Sequence, residues 1–249
     1  MNTILAHLSQ ERVYLPILQK IGDSKKVIAT NLHESIFDVY HKIKPDMVIL
    51  PIYEYTQEFH DFVVSFKDKV DIVLYTGNVF HDEITKYCLS NKIKMIGCNQ
   101  LPEADNVLRY SYIYDDQVYK NLDQERNDKI LVILSNDNDK NHSLLDSILY
   151  PKTKIKLCLT NNHTFKHPQN IGVTNTNDLS IVLNSFGSLI DIDSNFTIEA
   201  QACNINNILV SDNLINNIQN KTYIDHISNI EEYTITNFVN NKILKFLGA

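Results

Sequence analysis

The amino-acid sequence predicts an α/β protein built from two Rossmann-like parallel-sheet domains that face a cleft. Three observations lead there. Short apolar runs of strand length alternate with single amphipathic helical stretches, the rhythm of βαβ units and of a parallel sheet with helices on both faces. That rhythm breaks in a polar, charged stretch near residues 115–128 and restarts at Lys129. The chain of 249 residues, 43% hydrophobic and 21% charged, is long enough for two small cores. The expected division is an N-terminal domain over residues 1–125 and a C-terminal domain over 126–249; one continuous doubly wound sheet is the alternative.

Taken in order, TILAHLS (3–9) reads as a buried first strand, and QERVYLPILQKIG as the helix after it, with Gly22 as its stop. KVIAT (26–30) is a second strand, and HESIFDVYHKI places Ile36, Phe37, Tyr40 and Ile43 on one helical face. KPDMVILPI brings a third strand behind a Pro-Asp turn. The helix TQEFHDFVVSF, the strand DIVLYTG, the helix FHDEITKYCLSN and the strand KIKMIGCN follow, and the stretch from Asn106 holds one more strand.

In the second half KILVILSN (129–136) is a first strand, NHSLLDSILY a helix ended by Pro151, and KIKLCLT a second strand. NIGVTNTNDLSIVLNSF gives a short strand, a turn and a helix; GSLIDID, TIEAQAC and NNILVSD complete a strand, helix and strand. Ser228 with Glu231 three residues on reads as a capping box opening a final helix. Its apolar face, Ile235, Phe238, Val239 and Phe246, is expected to pack back across the hinge.

Composition excludes several classes. A formal charge of -7 disfavours a protein devoted to gripping nucleic-acid phosphates. No apolar run reaches the roughly 18 residues a membrane span requires. The start lacks the basic and apolar regions of a secretory signal. The four cysteines lie far apart with no Cys-x-x-Cys pair, so buried reduced thiols in a cytoplasmic protein are expected, without a zinc site. The abundance of Asn, Ile and Lys is typical of AT-rich genomes, including viral ones. Signatures of P-loops, dinucleotide-binding loops, α/β-hydrolases and zincins are absent from the sequence. DNDKN (137–141) begins like a calcium loop but lacks the later Gly and Glu.

Ligands of open α/β sheets collect beyond the carboxyl ends of the strands. After LIDID, a helix beginning near Asn195 or Phe196 would aim free N–H groups at the cleft, with Ser194 and Thr197 beside them to hold phosphate. Glu199 would follow in its first turns, where a carboxylate can accept both hydroxyls of a ribose diol. His7, at the end of the first strand, is a candidate general base, because imidazole titrates near neutrality. Packing under a loop is the plainer explanation. Tyr53, Tyr55 and Tyr75 lie at strand ends where a ring could stack on a sugar or base. His33 and His81 begin helices, and capping accounts for them.

The segment 170–213, with Gly172, Val173, Asp178, Leu179, Ser194, Glu199, Ala200, Ala202 and Cys203 in that order, resembles the donor-binding half of GT-B-fold glycosyltransferases. The resemblance implies that Glu199 binds the donor ribose, that Ser194 and Thr197 approach the pyrophosphate, and that Val173 and Thr174 lie near the base. Lys140 matches a Lys that the family uses for the donor phosphates, although the Arg expected ahead of it is missing. Asn204, Ile205 and Asn206 replace the family's Gly-Pro, and Asp191, eight residues before Glu199, belongs to the strand. The Asp-x-Asp at 191–193 resembles the metal motif of the other major glycosyltransferase fold, which the restart at Lys129 argues against. The reading is a glycosyltransferase using a nucleotide sugar and an unidentified acceptor, with His7 as base and neither metal nor separate cofactor. A degenerate binding or scaffold protein and a nucleotide-sugar epimerase are its rivals.

Overall fold

The computed structural model describes residues 3–9, 13–30, 34–52, 56–77, 82–110, 112–134, 155–159, 176–192, 196–210 and 227–248. The expected helix at 141–150 and short strand near 170–174 lie outside these residues. Six strands form the first sheet: β1 Thr3–His7, β2 Lys26–Thr30, β3 Met47–Pro51, β4 Asp71–Gly77, β5 Lys94–Cys98 and β6 Val107–Tyr110. All pairings are parallel, in the order β2-β1-β3-β4-β5-β6. Helices α1 Tyr14–Gly22, α2 Ile36–Ile43, α3 Gln57–Phe66 and α4 Asp82–Ser90 provide the crossovers.

The period of two along each strand sorts its side chains onto two buried faces. Ile4, Ala6, Ile49, Val73, Tyr75 and Ile96 point to the face covered by α1. Leu5, Val48, Leu50, Leu74 and Met95 point to the other, against Ile36 of α2, Phe59, Phe62 and Phe66 of α3 and Cys88 of α4. Helix termini are fixed by local chemistry. Thr56 Oγ1 accepts the Phe59 N–H at 3.3 Å, while Glu58 reaches from α3 to accept the Ile36 N–H at 3.0 Å at the start of α2. Lys44 at the end of α2 adopts φ 50° and Lys92 just beyond α4 adopts φ 56°, the left-handed turn that a helix exit commonly uses.

Helix α1 does not cover its face alone. The C-terminal segment, with helical turns at Ile235–Phe238 and Leu244–Phe246 and a π-helical turn at Val239–Ile243 between them, brings Ile235, Phe238, Val239 and Ile243 into the same core. The Ile235 N–H donates to the Tyr114 carbonyl and the Tyr114 N–H to the Tyr233 carbonyl, both at 2.9 Å. Phe238 meets Tyr110 edge-on at 5.3 Å, and the Tyr110 and Tyr75 hydroxyls are 2.7 Å apart. The expected capping box does not form. Asn229 is left-handed at φ 61°, which breaks any helix begun at Ser228, and Ile230–Tyr233 is a 3₁₀ turn. Thr234 is the cap instead, its Oγ1 accepting the Asn237 N–H at 3.0 Å.

Backbone contacts divide the chain into Met1–Asp115 with Glu232–Ala249, and Asp116–Glu231. The expected boundary after residue 125 thus differs in two respects. The final helix belongs to the first unit through the contacts above. Residues 116–125 belong to the second, because two buried side chains of α5, Thr176–Asn184, hold them. Ser180 Oγ donates to the Val118 carbonyl at 2.6 Å, and Asn184 both donates to the Lys120 carbonyl at 3.0 Å and accepts the Leu122 N–H at 2.8 Å.

The second sheet is also parallel: β7 Asn127–Leu134, β8 Ile155–Leu159, β9 Phe186–Ile192 and β10 Asn207–Val210, ordered β10-β9-β7-β8. Helix α6, Thr197–Ala202, joins β9 to β10. In each sheet the second strand lies on one side of the first and the third on the other. The order therefore reverses between β1 and β3 and between β7 and β9, and such reversals open the crevices that receive ligands in open α/β sheets.

Candidate functional site

His7 is the last residue of β1, beside the first reversal, and is 4% exposed. Its parity places it with Leu5 on the α3 face, where its ring meets Phe59 edge-on at 4.7 Å. Nδ1 lies 3.1 Å from the Leu8 carbonyl oxygen. A carbonyl cannot donate, so this bond requires the proton on Nδ1 and leaves Nε2 as the acceptor of the neutral imidazole. In this tautomer Nε2 is the ring nitrogen able to accept a proton. Thr30 stands opposite His7 in the β1–β2 register, and its buried hydroxyl has no hydrogen-bond partner among the described residues. The packing expected of an ordinary buried histidine is present.

At the second reversal, Asp191 near the end of β9 organises the entry to α6. Its carboxylate is buried, and Oδ2 accepts the Phe196 N–H at 3.0 Å and the Thr197 hydroxyl at 3.2 Å. A carboxylate at this position satisfies an unpaired N–H and complements the helix dipole. One consequence bears on phosphate binding. The Thr197 hydroxyl has a single proton, already given to Asp191, so its side chain reaches a phosphate only if that bond opens. Glu199 lies in the first turn of α6 and is 4% exposed.

The far end of α6 is closed by Asn204. Asn204 takes φ 63°, the Asn204 N–H donates to the Gln201 carbonyl at 2.8 Å, and the Ile205 N–H to the Ala200 carbonyl at 2.9 Å. This is a Schellman ending in which Asn supplies the left-handed residue that Gly usually provides. Ile205 follows fully buried. Arg126 donates to the carbonyls of Phe186 and Cys203, so it clamps β9 and α6. Burial pushes the Cys203 thiol up to about 11, against the opposing pull of Ser180, Arg126 and Asn184, which keeps it a packing residue.

The structure therefore brings Asp191, Thr197 and Glu199 together on β9 and α6 and sets His7 at the end of β1. Lys140, Val173, Thr174 and Ser194 lie outside the described residues, as do Tyr53 and Tyr55. Tyr75 is buried in the core, with its hydroxyl against Tyr110. Asp191 is the residue whose part in the site the sequence did not reveal. An Asp at a strand end six residues before a helix looks like any strand terminus until the loop folds back on it.

No protein-family model matches the chain, and no curated protein matches it by sequence. Solved structures do match. Anabaena HepE, crystallised in complex with UDP, superposes with a TM-score of 0.65 at 11% identity, covering 100% of both chains. The UDP-N-acetylglucosamine 2-epimerase of Rickettsia bellii superposes with a TM-score of 0.54 at 13% identity, covering 99% of this chain and 96% of that one. The fold is GT-B-like. Among the described residues, no helix of this GT-B-like chain is long and apolar enough to cross a membrane.

Proposed function

We propose that the chain is a glycosyltransferase that takes a sugar from a nucleotide-sugar donor. The observation that carries this reading is the end-to-end likeness to a UDP complex and to an enzyme of a UDP-sugar, with a buried acidic residue, Glu199, on the helix that follows the second reversal. In this reading the Glu199 carboxylate accepts the ribose hydroxyls, while Lys140, Ser194 and backbone N–H groups take the diphosphate without a metal. Thr197 contributes there when its bond to Asp191 opens, and Val173 and Thr174 contact the base. His7 Nε2 removes the acceptor hydroxyl's proton, which makes the reaction inverting.

The likeness to the 2-epimerase favours a second reading, epimerisation of the same class of donor. NMR of UDP-hexoses incubated with the full chain separates them. Transfer requires an added acceptor and releases UDP, with loss of activity in His7→Ala. Epimerisation yields a new sugar without acceptor. Calorimetric titration with UDP, GDP, ADP and CDP tests the shared premise: if none binds, both readings fall and a folded relative without the chemistry is left.

A further inference from the structure

A pocket of about 490 Å³ opens at the carboxyl ends of β5 and β6. That volume lies in the range of small-molecule sites. Its other wall is the C-terminal helix. All of its lining residues belong to the first unit, and it sits on β5 and β6, away from His7 on β1. Nothing in the proposed reaction uses it.

The chemistry of the wall selects a ligand class. Arg109 and Lys242 can only donate hydrogen bonds, Glu232 when ionised can only accept, and Asn237 and Asn241 can do both. A phosphate or carboxylate site requires donors alone and is opposed by Glu232. An apolar ligand would take the Lys242 and Glu232 charges out of water without offering them hydrogen bonds. A sugar hydroxyl gives one hydrogen bond and accepts others, so it satisfies such a mixed wall.

Four further features fit that class. Tyr112 is 59% exposed and offers a flat apolar ring with a polar tip. Asn241 Nδ2 donates to Asn237 Oδ1, so the two amides orient each other. Arg109 is held in place from outside the pocket by Glu103 and by the Leu101 carbonyl, an arrangement that fixes its remaining donors. Asn241 and Lys242 both come from the π-helical turn Val239–Ile243, and such turns recur at functional sites.

We propose that this pocket binds a neutral carbohydrate, with one sugar ring on Tyr112 and its hydroxyls shared among Arg109, Glu232, Asn241 and Lys242. The test is ligand-observed NMR titration of the full chain with glucose, galactose, mannose and N-acetylglucosamine, with inorganic phosphate as the anion control. Tyr112→Ala and Asn241→Leu are the variants, each checked for an unchanged melting temperature. Saturable binding of at least one sugar, weakened about 3- to 10-fold in Tyr112→Ala, supports the site. UDP binding should be the same in Tyr112→Ala as in the parent, which separates this pocket from the nucleotide site. Three results overturn the proposal: no saturation by any of the four sugars, equal binding in both variants and the parent, or binding of phosphate alone.

Discussion

Replacing Phe238 by Ala tests whether the C-terminal helix is an integral part of the first unit. The Phe238 side chain is 3% exposed, and its ring packs edge-on against Tyr110 at 5.3 Å. Removing a buried Phe from a packed core costs about 3–5 kcal/mol, through lost transfer energy and the cavity left behind. The aromatic pair contributes about 0.5–1.5 kcal/mol of specific contact within that figure. The same core holds α1 and one face of β1, β3, β4 and β5, so the loss should be felt through the whole first unit. In urea melts followed by hydrogen exchange, amides of β3 to β6 should lose protection by that amount. Amides of β7 and β9, in the other unit, should change by less than about 1 kcal/mol. A first-unit loss below about 1 kcal/mol would refute the idea that this helix completes the core. An equal loss in both units would refute the division of the chain at residues 115 and 231.

Three further outcomes are expected. A Cβ on Gly97 would stand 1.7 Å from Thr76 Oγ1 and 3.0 Å from a Leu101 methyl; Gly97→Ala should therefore cost about 1–3 kcal/mol, with Thr76→Ala restoring part of it in the double variant, as read by thermal melts. Asn184→Ala should cost about 2–4 kcal/mol, because the Leu122 N–H and the Lys120 carbonyl lose a buried partner. Burial pushes the Cys88 thiol up to about 12 from an ordinary 9.0. Between those values the unfolded chain binds fewer protons than the folded one, so this contribution is intact below pH 9 and falls as pH rises through the window. Comparing urea midpoints at pH 9 and 10.5, the parent should lose about 1.5 kcal/mol more than Cys88→Ala, and equal losses would contradict the burial argument.

Much of the fold was legible because it rests on local patterns. The apolar runs at Thr3–His7, Lys26–Thr30, Met47–Pro51 and Asp71–Gly77 are strands where periodicity put them, and the helices between them bury the faces their spacing defined. What was hidden depends on contacts distant in sequence. Asn184 ties a segment more than sixty residues earlier to α5, which moves the unit boundary. Ser228 and Glu231 have the spacing of a capping box, but the left-handed Asn229 hands the role to Thr234. In the candidate site, the place of Glu199 on α6 followed from the sequence. The engagement of the Thr197 hydroxyl by Asp191 did not, because it is set by how the loop after β9 returns.

The most direct test of nucleotide binding is calorimetric titration of the full chain with UDP, beside Glu199→Gln, a nearly isosteric change that keeps the buried side chain's volume. The expected result is one saturable site per chain in the parent and affinity about 10- to 100-fold weaker in the variant, the loss of a charge-assisted hydrogen-bond acceptor. Equal UDP affinity in the two proteins would contradict the assignment of the donor ribose to Glu199, and no binding in either would contradict the nucleotide-sugar function itself.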